Sequence, residues 1–103
     1  MFWYFVAHFF GGVFLANAIP PLISGISGRT LQSPFASPPF KGLSSPAVNV
    51  AWGLSNLAVA YVLLLHVGEL DIRDWLHMAV SFAGFGAMAF QCARSFGRLV
   101  GSD

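Results

Sequence analysis

The chain has 103 residues, of which 56% are hydrophobic, 16% are aromatic and only 9% are charged. A domain this short buries proportionally little surface, so a soluble fold could not hide its 11 Phe and three Trp side chains. A net charge of +1 provides no clustered basic face for binding nucleic acid. The composition therefore indicates one small domain that is embedded in a lipid bilayer.

The first apolar segment predicts a membrane-spanning helix over residues 2–23. Trp3 and Tyr4 at its start are typical of the boundary between lipid and water. Pro20 and Pro21 lack backbone donors and crowd the preceding turn, so we expect the helix either to end or to kink there. The segment has no positively charged start of the kind found in signal peptides, and we expect it to be retained.

Residues 28–46 form the only long stretch that is not apolar, and they are rich in Pro and Ser. This composition predicts an extended loop rather than a helix. Phe35 and Phe40 are spaced along the loop. We expect their side chains to dip into the membrane surface, and docking against a partner protein is the alternative.

Two further helices are predicted, over residues 47–67 and 75–98. Residues 47–66 contain no charged side chain and, at about 1.5 Å per residue, match the roughly 30 Å hydrocarbon core of a bilayer. The connection between the two helices is short, which predicts that they pack side by side as an antiparallel pair. Asp74 is placed to cap the third helix. The predicted fold is an all-α, three-pass transmembrane bundle that forms one domain over residues 1–103.

Lys and Arg are distributed unevenly between the two ends of this bundle. Arg29 and Lys41 lie in the first loop, Arg94 and Arg98 lie near the C-terminus, and the opposite side has only Arg73. By the positive-inside rule, the first loop and the C-terminus are predicted to be cytoplasmic and the N-terminus to be outside.

Small and polar residues recur at helical spacing on every helix, which is the pattern through which helices associate in lipid. These stripes are Gly12 and Ala16 on the first helix, Asn49, Gly53, Asn56 and Ala60 on the second, and His77, Ser81, Gly84, Met88 and Gln91 on the third. A second stripe on the third helix consists of Ala79, Ala83 and Ala87. The plainest interpretation is that the stripes hold the three helices together.

The side-chain amides of Asn17, Asn49 and Gln91 are predicted to lie at similar depth, towards the cytoplasmic side. Pro20 leaves carbonyl groups there without helical donors, and an amide that donates to such a carbonyl is tolerated in lipid. Trp52 belongs to the same region. We expect these residues to pack the helices or to bind a partner, and a small-ligand site is the alternative.

His8, His66 and His77 lie one on each helix, all in the predicted outer half of the membrane. Because imidazole binds zinc, copper and haem iron, the three histidines suggest a metal or haem site. No two of them have metal-ligand spacing along one helix, and boundary histidines commonly anchor a helix or form hydrogen bonds. The identity of any cofactor is not indicated.

A series of short motifs runs through residues 8–56: HFFGG, LANAIP, SPFA, GLSS and NVAWG. This series resembles that of a group of small, uncharacterised bacterial membrane proteins. The resemblance covers about half of the chain and implies a multi-pass protein of the bacterial inner membrane. It implies no activity.

No charged side chain lies within the apolar cores, whereas coupled transporters usually place such groups in the middle of the membrane. No nucleotide-binding, serine-hydrolase or zinc-protease motif is present, so an enzyme is the least supported class. The leading prediction is an accessory or scaffold subunit that packs against a larger membrane complex. The alternatives are a homo-oligomeric channel or small-solute transporter, with Asn56, Ser81 and Gln91 lining a shared path, and a metal- or haem-binding protein.

Overall fold

Three long helices make up most of the structure: α1 (Phe2–Ile26), α2 (Pro46–Tyr61) and α3 (Trp75–Leu99). The computed structural model describes residues 2–32 and 43–99, with side chains for residues 2–30 and 45–96. A π-helical turn over Val62–Val67, here called the π turn, continues α2 without a break. The spans Phe2–Ile26, Pro46–Val67 and Trp75–Phe96 are long and apolar enough to cross a membrane, which confirms the three predicted apolar helices.

α1 continues through Pro20 and Pro21 and ends at Ile26, so the helix does not end at the prolines. Each proline removes only its own N–H from the helical ladder. In an apolar environment the remaining backbone groups have no water to bond, which favours keeping the turns on both sides helical. Pro21 is fully buried, so its ring also contributes to packing.

The end of α1 is fixed by a glycine cap. Gly28 has a φ of 73°, in the left-handed region that glycine adopts without steric cost. Its N–H bonds the carbonyl of Gly25 at 3.0 Å, and the N–H of Arg29 bonds the carbonyl of Ser24 at 2.8 Å. These two bonds form a Schellman motif, which satisfies carbonyls that the last helical turn leaves free.

α1 lies between the other two helices and packs along both, whereas α2 and α3 scarcely touch each other. The burial of the residues confirms the central position of α1. In the apolar window of α1, 33% of the residues are buried, compared with 17% for α2 and 11% for α3. The expectation that α2 and α3 are direct neighbours is therefore wrong. Residues 68–74 reach about 23 Å when extended, which is enough to pass the end of a helix roughly 10–12 Å in diameter.

Glycine lets α1 and α3 approach each other closely. A Cβ atom at Gly12 would overlap the carbonyl oxygen of Ser81, and a Cβ atom at Gly84 would overlap the carbonyl oxygen of Phe9. In lipid, helices gain no hydrophobic free energy by associating, so they depend on close van der Waals contact. These two glycines therefore set the distance between α1 and α3.

The interface between α1 and α2 uses glycine in the same way. A Cβ atom at Gly53 would lie 2.7 Å from the Cβ of Leu22, and one at Gly25 would lie 2.7 Å from the Pro46 carbonyl oxygen. The buried residues of α2 are the whole predicted stripe: Asn49, Gly53, Asn56 and Ala60. The sequence pattern therefore coincides with the face of α2 that packs against the molecule.

The two stripes on α3 behave differently. His77, Ser81, Gly84 and Met88 are buried or half-buried, while Ala79, Ala83 and Ala87 are exposed. The exposed stripe, here called the alanine face, does not hold this bundle together, contrary to the plainest interpretation of the sequence. Because α1 packs on only one side of α3, one of the two stripes contacts no other helix among residues 2–32 and 43–99.

The ends of the predicted Pro/Ser-rich loop are held together by a short antiparallel pair, β1 (Leu31–Gln32) with β2 (Leu43–Ser44). Pairing these residues closes the loop beside the end of α1 and the start of α2. Phe35 and Phe40, which are predicted to dip into the membrane surface, lie outside the described residues.

Side-chain caps define where α2 and α3 begin. The Ser45 hydroxyl accepts a hydrogen bond from the N–H of Val48 at 3.2 Å, and Pro46 occupies the first turn, where its missing donor costs nothing. Asp74 Oδ1 accepts from the N–H groups of Leu76 at 2.9 Å and His77 at 3.4 Å. The predicted Asp74 cap is confirmed.

Two glycines on α3 test the close approach. Gly84→Ala is expected to destabilise the bundle by about 1–3 kcal/mol, because its methyl group must displace the α1 backbone. Gly86→Ala is the matched control, because a Cβ atom there meets nothing within 4 Å. The measurement is the free energy of unfolding by SDS titration in mixed micelles. Equal stabilities for the two variants would contradict the proposed packing.

Candidate functional site

The start of α1, the end of the π turn and the start of α3 meet at one end of the bundle, here called the histidine end. His8 is completely buried there, and its Nε2 lies 2.8 Å from the carbonyl oxygen of Gly68. A carbonyl can only accept, so Nε2 carries the hydrogen. His8 Nδ1 is buried and has no hydrogen-bond partner among the described residues.

His77 packs directly on His8, with ring centroids 4.4 Å apart and planes inclined by 48°. Phe5 lies edge-on to both imidazoles, with its ring centroid 6.0 Å from that of His8 and 5.9 Å from that of His77. Edge-on contact is a favoured geometry for aromatic rings. The three rings therefore join α1 to α3 at the histidine end.

Both ring nitrogens of His77 have polar neighbours. The N–H of Asp71 donates to His77 Nδ1 at 3.1 Å. His77 Nε2 lies 3.5 Å from Asp74 Oδ2. Because Nδ1 accepts a hydrogen bond, the neutral ring carries its hydrogen on Nε2, facing the carboxylate. The His77 ring therefore lies between a main-chain donor at Nδ1 and a carboxylate at Nε2.

A second contact ties α1 to the connection between α2 and α3. The Tyr4 hydroxyl donates to Glu69 Oε2 at 3.1 Å. Glu69 has a φ of 48°, which residues other than glycine seldom adopt. The chain turns sharply at this position, immediately after Gly68 has presented its carbonyl to His8.

The predicted three-histidine site is only partly assembled. His8 and His77 come together, whereas His66 lies exposed on the π turn. Within residues 2–32 and 43–99, no group of three or more His, Cys, Asp or Glu side chains is arranged to hold a metal ion. His66 does not join the other two histidines because Gly68, just after the π turn, is the residue that faces His8. Gly68 contributes its main-chain oxygen to His8.

Polar side chains also cross the middle of the bundle, in a series here called the polar chain. Cys92 Sγ on α3 donates to Asn17 Oδ1 on α1 at 3.8 Å, and Asn17 Nδ2 donates to Asn56 Oδ1 on α2 at 2.9 Å. Asn56 Nδ2 then donates to the carbonyl of Trp52 at 2.9 Å. The polar chain links all three helices through the central one, which is a recognised mode of helix association in membranes.

The other two predicted amides lie apart from Asn17. Asn49 is fully buried and its Nδ2 donates to the Arg29 carbonyl at 3.1 Å, tying the start of α2 to the capped end of α1. Gln91 is exposed on α3, where its Nε2 donates to the Ser95 hydroxyl at 3.1 Å. Gln91 lies at the depth of Asn17, because the next residue, Cys92, contacts Asn17, but the Gln91 side chain does not share the face of α3 that packs against α1.

Ser81 is buried, and its hydroxyl has no hydrogen-bond partner among the described residues. It lines an otherwise apolar groove of about 260 Å³ between α1, the π turn and α3. Besides Ser81, the groove is lined by Gly12, Leu15, Leu64, Leu70, Met78, Phe82 and Phe85.

Gly68, Asp71 and Cys92 take part in these contacts although the sequence does not single them out. Gly68 contributes a carbonyl oxygen and Asp71 contributes an N–H group. Almost every residue has these main-chain groups, so the amino-acid type does not reveal which ones are used. The position of Gly68, directly after a long apolar run and before a charged connection, is the one available signal. Cys92 is recognisable only once Asn17 is known to face it.

Comparisons with known proteins yield no relative. No protein-family model, no curated protein and no solved structure matches the chain. The resemblance of residues 8–56 to small bacterial membrane proteins therefore stays a prediction. What the structure establishes is a class: a bundle of three apolar helices, each long enough to span a membrane.

The polar chain can be tested by a double-mutant cycle on Asn17 and Asn56. Each Ala variant is expected to lose about 0.6–1.7 kcal/mol of stability, which lies between the average and the largest value found for hydrogen bonds between membrane helices. The two losses should not add, because both variants remove the same bond. Ser55→Ala is the control, since its hydroxyl bonds only the Ala51 carbonyl within α2 at 2.8 Å. Additive losses measured by SDS unfolding would contradict a direct interaction.

Proposed function

We propose that this chain is an accessory subunit that binds a transmembrane helix of a larger membrane protein complex through the alanine face of α3. The observation that carries the proposal is the exposure of Ala79, Ala83 and Ala87 at helical spacing, away from α1. Small residues at this spacing let a second helix come close, and the same bundle uses glycines for that purpose at its internal α1–α3 interface.

The surroundings of the alanine face support the same conclusion. Phe82 lies at its edge and Phe90 lies on the same side of α3 one turn beyond Ala87, and the two rings are 77% and 81% exposed. Gly86 lies between them, and a Cβ atom there would meet nothing within 4 Å. Small residues between large exposed rings form a shallow groove, into which the side chains of a facing helix can insert.

Gln91 indicates the chemistry of the partner helix. Its amide is exposed one turn beyond Ala87 and bonds Ser95, which leaves further donor and acceptor capacity on the side chain. A polar amide that faces hydrocarbon is costly unless it is hydrogen-bonded. The partner helix is therefore proposed to present small residues opposite the alanines and a hydrogen-bonding side chain opposite Gln91.

We also propose the bacterial inner membrane as the location, with the N-terminus outside and the C-terminus in the cytoplasm. α1 and α3 both start at the histidine end, so Arg29 at the end of α1 and Arg94 late in α3 lie on the same side of the bundle. Arg73 lies at the opposite end, in the connection between α2 and α3. This asymmetry supports the orientation given by the positive-inside rule.

The alanine face is tested by adding bulk. Ala83→Phe is expected to abolish co-purification of the partner subunits in mild detergent, because the ring occupies the space that the facing helix needs. Ala58→Phe is the matched control, since Ala58 is exposed on α2 and lies outside the proposed interface. Partner content is measured by native mass spectrometry of the affinity-purified chain.

Two results would overturn the accessory role. One is the recovery of a full complement of partner subunits with the Ala83→Phe variant. The other is a wild-type chain that purifies as a homo-oligomer and transports a solute in liposomes, which would favour a channel or transporter.

The orientation is tested by labelling single cysteines in a Cys92→Ala background. Ile72→Cys is expected to react with a membrane-impermeant maleimide in intact cells, because Ile72 lies in the outer connection and is 75% exposed. Ser27→Cys, at the other end, should react only after lysis. The reverse pattern would place the N-terminus in the cytoplasm.

A further inference from the structure

The histidine end lies where the membrane meets water. Phe2, Trp3, Ile72 and Trp75 surround it and are 69%, 71%, 75% and 77% exposed. Exposed aromatic residues of this kind are typical of the interfacial layer of a bilayer. The side chain of His77 is 18% exposed, so protons from the aqueous phase can reach it.

One hydrogen bond at this end depends on the charge of His77. The Asp71 N–H donates to His77 Nδ1, which can accept only while that nitrogen carries a lone pair. In the protonated ring both nitrogens carry hydrogen and both are donors. Two N–H groups would then face each other across 3.1 Å, and the bond is lost.

We propose that the bond between the Asp71 N–H and His77 is an acid-released latch: it fastens residues 68–74 to α3 while His77 is neutral and opens when His77 binds a proton. Histidine is the side chain that ordinarily changes charge between about pH 5 and about pH 8, and the latch is therefore tested across that interval. The inference concerns the outer end of the bundle and is independent of the alanine face.

Charged and titratable groups approach His77 from α3, from α1 and from the connection. The carboxylate of Asp74, which caps α3, lies 3.5 Å from Nε2. His8, on α1, lies against the ring face and keeps its own Nε2 hydrogen on the Gly68 carbonyl. On the connection, the Asp71 carboxylate accepts from the Arg73 N–H, and Glu69 accepts from Tyr4.

Only one of the two polar contacts of His77 changes on protonation. The Nε2 hydrogen faces Asp74 in both charge states, so the ring stays with α3. The contact on Nδ1 changes from attraction to repulsion. Acid therefore removes this one contact between the connection and α3, while the bond from the Asp74 N–H to the Asp71 carbonyl remains. The change acts on the segment that also holds the Gly68 carbonyl against His8 and the Glu69 carboxylate against Tyr4.

The test is amide hydrogen exchange across residues 68–74, measured at pH 8 and at pH 5 on the full chain in lipid nanodiscs and corrected for the intrinsic exchange rate at each pH. In the wild-type protein the Asp71 amide is expected to exchange roughly five- to tenfold faster at pH 5 than at pH 8, the factor corresponding to one net hydrogen bond. Equal protection at the two pH values would overturn the latch.

Three variants identify the sensor. His77→Asn places an acceptor that cannot be protonated near the position of Nδ1, and should keep the amide protected at both pH values. His8→Gln retains a donor for the Gly68 carbonyl without titrating, and should preserve the wild-type pH response. His66→Ala, which alters an exposed histidine away from the latch, should preserve it as well.

A pH response that persists in His77→Asn, or one that disappears in His8→Gln, would overturn the assignment to His77. If a variant does not fold, the proposal can still be tested by nuclear magnetic resonance on the wild-type chain. In nuclear magnetic resonance spectra, the Asp71 amide proton and the His77 ring nitrogens should shift with one common midpoint. Different midpoints would also overturn the proposal.

Discussion

The close approach of α1 to both of its neighbours is the constraint on which the rest of the structure depends. In lipid no hydrophobic driving force brings helices together, so contact area and a few hydrogen bonds must do so. Gly12 and Gly84 remove side chains where α1 meets α3, and Gly25 and Gly53 remove them where α1 meets α2. The central helix therefore contacts a partner on two sides, while each outer helix contacts one.

This arrangement explains where the polar groups lie. The polar chain crosses α1 in the middle. At one end of α1, His8 bonds the Gly68 carbonyl, and at the other end Asn49 of α2 donates to the Arg29 carbonyl. Every buried amide or imidazole among these three positions thus bonds a group on another segment. Polar contacts at three depths fix how far each helix is shifted along its neighbour. Apolar contacts alone specify this register less strongly.

The two outward-facing parts of the molecule have different proposed roles. In a membrane the alanine face, along the side of α3, would lie at the depth of the hydrocarbon and be open to another helix. The histidine end would lie at the water boundary and be open to protons. Because the first depends on shape and the second on charge, a change at one end of α3 need not alter the binding surface further along it.

Sequence patterns were sufficient for the three helices, for the Asp74 cap of α3 and for the buried face of α2. They were insufficient for the order of the helices, because a membrane helix is apolar all round and hydropathy does not mark the side that meets protein. On α3 the sequence shows two stripes of similar quality, and only the position of α1 decides that the one with Ser81 and Gly84 faces inward. The pairing of His8 with Gly68 was likewise hidden, since a main-chain carbonyl has no residue signature.

The π turn determines which residue of the second span faces His8. Residues that face α1 recur at α-helical intervals from Asn49 through Ala60 to Leu64, which lies against Gly11, and an unbroken α-helix would bring Val67 to that side next. A π turn holds one more residue per turn, and the position passes to Gly68, which is buried while Val67 is 44% exposed. A single inserted amino acid in an ordinary transmembrane helix thus suffices to replace a branched side chain with a bare carbonyl beside His8, and so to give a buried imidazole its acceptor without any new polar side chain.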